Sequence, residues 1–104
     1  MARRRASLHT NISTDTTIAT APSVYYGCLA QCLTTGPSQV FVYDATATAT
    51  GTVIGGAYAT GSVAGQLSIN MAPPGGVVCD LGIHANVTCT TAVDNITIFW
   101  GPIQ

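Results

Sequence analysis

The feature that most limits what this chain can become is its punctuation. Short runs of β-branched and aromatic residues, alternating apolar and polar with a period of two, are cut by glycine, proline, asparagine and aspartate about every ten residues. Such a chain builds strands and turns, and nowhere does it hold an apolar period of 3.6 long enough for a helix. The clearest run is Gln39-Val40-Phe41-Val42-Tyr43-Asp44, which reads as a central strand. After it comes Ala45-Thr46-Ala47-Thr48-Ala49-Thr50, where threonine at every second position and Gly51 behind oppose the helix that alanine alone would favour. Thr52-Val53-Ile54 then resumes extended structure, and Gly55-Gly56 and Gly61 break the chain again.

The same grammar runs through the remaining residues. Residues 1–20 form a polar, threonine-rich lead, read as an extended arm that adds a strand at Thr16-Thr17-Ile18-Ala19; Pro22 marks the start of the body, residues 21–104. From Val24 to Leu33 the alternation puts Val24, Tyr26, Cys28, Ala30 and Cys32 on one face and Tyr25, Gly27, Leu29, Gln31 and Leu33 on the other. Thr34 to Ser38 is a turn. Val63, Gly65, Leu67 and Ile69 alternate with Ala64, Gln66, Ser68 and Asn70, which predicts a strand with its apolar side inward. Two prolines and two glycines make Met71–Gly76 a loop. A short strand at Val77–Cys79 follows, then one in which Ile83, Ala85, Val87 and Cys89 share a face, a turn at Thr91–Asp94, and a last strand led by Ile96, Ile98 and Trp100. The expected fold is an all-β antiparallel β-sandwich or jelly roll of about seven to eight short strands, one domain with an extended N-terminal arm.

Charge is scarce and segregated. Charged residues make up 7% of the chain and mean hydropathy is +0.39, against about 25% charged in ordinary soluble domains. Uncharged, mildly apolar exteriors associate, so the composition points to a subunit largely covered by neighbours and to a homo-oligomer. Every basic side chain lies in Arg3-Arg4-Arg5, while the rest of the chain carries only Asp15, Asp44, Asp80 and Asp94. Three adjacent arginines suit a docking arm that captures carboxylates. Three cations on an otherwise anionic chain make a poor nucleic-acid footprint, so no nucleic-acid partner is expected. Leu8–Ser13 is too polar for the apolar core of a signal peptide, and no run approaches the 18 residues of a membrane span. Synthesis in a cytoplasm and no membrane contact are therefore expected.

Chemistry-bearing residues are few. Cys28 and Cys32 have a ligand-like spacing, and Cys79, His84 and Cys89 could complete a zinc set. In an extended strand, however, residues four apart stand roughly 13 Å from each other at about 3.3 Å per residue, too far to share an ion or a bond. The four cysteines are read instead as buried thiols or as disulfides joining Cys28 or Cys32 to Cys79, Cys89 or a neighbouring subunit. His9, His84 and the four aspartates show no catalytic spacing, and no metal or cofactor site is expected. His84 falls on the polar side of its strand and reads as a surface or interface residue. The glycine pairs do not sit in a strand-loop-helix unit and are not phosphate loops. The sequons at Asn11, Asn86 and Asn95 are read as chance in a threonine-rich chain.

Tyr26-Gly27 in an apolar strand, Val42-Tyr43-Asp44, Thr50-Gly51-Thr52-Val53-Ile54, Gly82-Ile83 and the closing Asn95-Ile96-Thr97-Ile98-Phe99-Trp100 together resemble small virion structural proteins of tailed bacteriophages. The resemblance spans about residues 24 to 100 and brings no catalytic residues; the arginine arm and the cysteines lie outside it. It implies a β-sandwich subunit on the particle exterior, a capsid decoration or cement protein of the head whose partners are the major capsid protein or other virion subunits. A tail, neck or fibre component is the alternative, as is a carbohydrate-binding adhesion module using exposed aromatics among Tyr25, Tyr43, Tyr58 and Trp100.

Overall fold

The computed structural model describes residues 8–12, 14–32, 36–47, 51–89 and 95–103, with backbone alone at 8–11 and 89. Among these residues nine strands form two antiparallel sheets: β1 (Leu8–Ile12), β2 (Thr16–Ala19), β3 (Ser23–Gln31), β4 (Ser38–Asp44), β5 (Thr52–Ala59), β6 (Leu67–Met71), β7 (Val77–Cys79), β8 (Ile83–Cys89) and β9 (Asn95–Pro102). The first sheet runs β1-β9-β3-β6, with β7 also on β3; the second runs β2-β8-β4-β5. The fold is thus the all-β sandwich that the punctuation of the sequence predicts. The lead contributes an edge strand to each sheet, β2 at the expected place and β1 where no alternation marked one. The run beginning at Gln39 is internal, flanked by β8 and β5.

Between the sheets lie Tyr25, Cys28, Ala30 and Cys32 from β3 and the residue after it, Val40 and Val42 from β4, Ala59, Cys79, Ile83, Ala85, and Ile96 and Ile98 from β9. Each fully buried Ile or Val here contributes about 1.5–3 kcal/mol over its exposed state. Val87 and Trp100 pack at the margin of this core, on the faces the alternation assigns them.

Two strands depart from strict alternation, for separate reasons. In β3 the register against β9 shifts between Tyr25 and Gly27, so Tyr25, not Tyr26, joins Cys28, Ala30 and Cys32 in the core. Gly27 permits this: its φ is +153°, and a Cβ there would stand 2.7 Å from Met71 Sδ and 2.9 Å from the Asn70 carbonyl oxygen. In β6 the predicted inside and outside are exchanged. The strand starts only at Leu67, and Leu67, Ile69 and Met71 are 48%, 55% and 57% exposed. Their polar neighbours bond locally and across to the other sheet. Asn70 Nδ2 donates to the Gly56 carbonyl at 2.7 Å, and Gln66 Oε1 accepts from Thr60 Oγ1 at 2.8 Å and from the Gly61 amide at 2.7 Å. Amides that can satisfy a neighbouring strand and loop from inside outcompete three apolar side chains for that side of the strand.

Gly55 and Gly56, expected to break the chain, lie within β5 opposite Val42 and Phe41. A Cβ at Gly55 would fall 2.5 Å from the Tyr25 hydroxyl, so the glycine makes room for the ring that the β3 bulge turns inward.

Candidate functional site

Asp44 and Asp15 act as structural acceptors. Asp44, at the end of β4, takes the amides of Asp80 at 3.1 Å, Leu81 at 2.9 Å and Gly82 at 3.3 Å, clamping the turn that carries the chain from β7 in one sheet to β8 in the other. Asp15 Oδ1 accepts the Val87 amide at 2.7 Å and ties the β1–β2 connection to β8. His84 is buried, not the surface or interface residue expected, because β2 packs alongside: its Nδ1 lies 3.0 Å from Thr17 Oγ1. Among the described residues no three His, Cys, Asp or Glu side chains are placed to hold a metal ion, and no helix is long and apolar enough to cross a membrane.

Cys28, Cys32 and Cys79 are all buried. Cys79 pairs with Ser23, five residues before Cys28 on the same strand, so their Cα atoms stand roughly 16 Å apart, well beyond the about 7 Å limit for a disulfide. Cys32 lies farther along still and donates to the Ala59 carbonyl at 3.5 Å. The pairing of Cys28 or Cys32 with Cys79 that the sequence left open is therefore not made, and Cys28 and Cys79 are free thiols. The side chain of Cys89 lies outside the described residues. Burial, and secondarily the Asp44 carboxylate, push the Cys79 thiol up to about 11, and burial raises Cys28. Both are protonated at neutral pH, which suits packing and not nucleophilic attack. The Tyr25 hydroxyl is enclosed beside the Cys28 thiol with no hydrogen bond of full geometry, and burial drives its pKa far up as well.

Chemical interest shifts to the surface. Between Asp44 and Asp80 the sequence holds no charged residue, and this stretch supplies β5, β6 and β7. Its exposed side chains include Val53, Tyr58, Val63, Leu67, Ile69, Met71 and Val78. Where β4 and β5 meet the end of β6, a groove of about 400 Å³ has Gly55 and Gly56 in its wall, Phe41, Val53 and Tyr58 along it, and the amides of Gln39 and Asn70 at its edges. Phe41 is 43% exposed and Tyr58 51%. Phe41 faces Gly56 across the ladder and Tyr58 faces Gln39, so the two rings are diagonal neighbours on one sheet face. Such a surface can stack on flat or apolar groups and exchange amide hydrogen bonds.

Of the aromatics named from the sequence for stacking, Tyr25 is in the core, Trp100 packs against it and Tyr43 is half-buried; Tyr58 alone is open, and Phe41 joins it. The docking arm, Arg3, Arg4 and Arg5, lies outside the described residues. What sequence reasoning missed was the outward row on β6, although the uncharged stretch itself was visible. Comparison of the chain with protein-family models, curated proteins and solved structures finds no match in any of the three.

Proposed function

We propose that the chain is a non-enzymatic structural subunit of a tailed-phage virion, a decoration or cement protein that stabilises the head shell through contacts with the major capsid protein and with its own copies. One observation carries the reading: a charge-free tract of the sandwich, from β5 to β7, leaves large apolar side chains in water where an isolated soluble domain would place lysine and glutamate. Burial of that surface between subunits supplies adhesion without directional chemistry, and the arginine arm adds a charge-assisted contact to acidic neighbours.

The test is binding of the purified protein to assembled heads and, separately, to tails, with bound copies counted per particle. Saturation at hundreds of copies on heads is expected. A few copies confined to tails would place the chain in the tail, neck or fibre, and binding to neither would refute the virion reading. The aromatic pair Phe41 and Tyr58, with Gln39 and Asn70 beside it, supports a second reading, a module that stacks on neutral carbohydrate. Glycan binding that Tyr58→Ala abolishes would favour this reading over the first.

A further inference from the structure

Among the described residues five strands lie at sheet edges; β7 is only three residues long, and three of the others are blunted or carry no exposed row that the structure describes. β5 has a register shift opposite Val42 and Tyr43, and Asn70 Nδ2 occupies the Gly56 carbonyl. β2 has a register shift between Thr17 and Ala19 and Asp15 at its start. β1 is described by its backbone alone up to Asn11. β6 is different. Leu67–Met71 contains no charge, proline or bulge, and its pairing with β3 is regular from Gln31↔Leu67 to Gly27↔Met71.

The direction of its backbone groups follows from the ladder. The Ala72 amide donates to the Tyr26 carbonyl at 2.9 Å and the Cys32 amide to the Gln66 carbonyl at 2.9 Å. Because hydrogen-bonded and non-bonded positions alternate along an antiparallel pair, Gln66, Ser68, Asn70 and Ala72 bond toward β3. The N–H and C=O groups of Leu67, Ile69 and Met71 point to the open edge. These are the residues whose side chains stand more than two-fifths exposed on the outer face.

We propose that β6 pairs with β6 of a second copy of this chain, antiparallel about a two-fold axis at Ile69. In that register Ile69 meets Ile69 of the second copy, and Leu67 meets its Met71 on either side. All three pairs are of the hydrogen-bonded kind, so every outward backbone group of the strand is satisfied at once, and the two exposed rows become one apolar ridge across a continuous sheet. Charge selects the occupant. The described charged side chains Asp15, Asp44 and Asp80 all lie outside the tract from β5 to β7, so a second copy can meet this edge with the same uncharged edge and set no like charges against each other, as self-pairing requires. The inference goes beyond the virion reading and does not rest on it.

The test uses the purified full chain with no particle present. Sedimentation equilibrium is expected to show a mass rising with concentration from one chain to two. Ile69→Lys sets two ammonium groups against each other at the axis and is expected to weaken the dimer at least 100-fold with an unchanged circular dichroism spectrum. Under mild oxidation Ile69→Cys is expected to give a covalent dimer at least tenfold faster than Leu81→Cys, an equally exposed position off the edge, because hydrogen-bonded antiparallel partners have Cα atoms about 5.5 Å apart, within disulfide range. A mass of one chain at every concentration overturns the proposal. So does a dimer that survives Ile69→Lys and crosslinks no faster through position 69 than through 81. A monomer that still saturates phage heads would overturn the pairing and leave the virion reading standing.

Discussion

Removing an oxygen from the middle of this protein is expected to make it more stable. The Tyr25 side chain is 2% exposed, and its hydroxyl, with the weakly polar Cys28 thiol as its neighbour, makes no hydrogen bond of full geometry. A hydroxyl taken out of water without a replacement bond costs about 1–3 kcal/mol. Phenylalanine fills the same ring volume without that cost, less some packing lost where the oxygen stood. Tyr25→Phe is therefore expected to raise stability by about 1–2 kcal/mol, which for a domain of this size is roughly 4–8 °C in Tm for each kcal/mol.

The geometry also supplies a partner for a double-mutant cycle. A methyl carbon at position 55 would lie 2.5 Å from Tyr25 Oη, 2.7 Å from Cε2 and 2.8 Å from Cζ. Gly55→Ala alone is expected to lose about 1–3 kcal/mol through overpacking. In the Tyr25→Phe background the nearest clash is gone and the two ring contacts remain, so part of the loss, about 0.5–1 kcal/mol, is expected to return as coupling. Urea unfolding followed by far-ultraviolet circular dichroism measures all four corners, and a shared m-value keeps the comparison sound. If Tyr25→Phe instead loses more than about 1 kcal/mol, the hydroxyl is bonded, with the Cys28 thiol or an enclosed water as its partner, and the argument fails.

Asp44→Ala strands three amides at the β7–β8 turn and is expected to cost about 2–3 kcal/mol, while Asp44→Asn, which keeps an acceptor for Leu81 and Gly82, costs less; chemical denaturation of the two variants checks the order. Cys28 and Cys79 are expected to resist an alkylating reagent at pH 7.5 and to react once urea unfolds the chain; prompt labelling of the native protein would contradict their burial. The thiol of Cys79 ionises near its ordinary value in the unfolded chain and at about 11 in the folded one. Its contribution to stability is therefore complete below about pH 8.5 and falls as pH rises toward 11, as denaturation midpoints across that range will show. Replacing Arg3, Arg4 and Arg5 by Ala is expected to weaken attachment to particles and flatten its salt dependence, and retention unchanged across salt concentrations would remove the arm from the mechanism.

Period two made most of the core legible. Ile83 and Ala85, Ile96 and Ile98, and Val40 and Val42 all point where period two places them. Prediction slipped where a single residue carries tertiary information. The bulge at Gly27 depends on how β3 meets β9, and one extra residue there exchanges Tyr25 for Tyr26. The alternation in β6 is that of an ordinary half-buried strand, and it carries no trace of the deciding partners: the Gly56 carbonyl for Asn70 and the amide of Gly61 for Gln66 come from other parts of the chain. The groove had a similarly weak signature. Phe41 and Tyr58 are far apart in sequence, and only the register of β4 with β5 brings them onto one face. The roles of Asp15 and Asp44 as acceptors of backbone amides were not legible either, because their partners on β8 and at the β7–β8 turn lie more than thirty residues away in sequence.

The pairing of β1 with β9 sets Leu8 against Trp100, so the chain enters and leaves the described fold side by side on neighbouring strands. A load drawn through those two ends acts along the ladder from one extremity and peels its hydrogen bonds apart pair by pair, the mechanically weak direction of an antiparallel ribbon. A load spread over the broad faces meets every strand and the whole core together. The described fold therefore resists load across its faces far better than load drawn through Leu8 and Trp100.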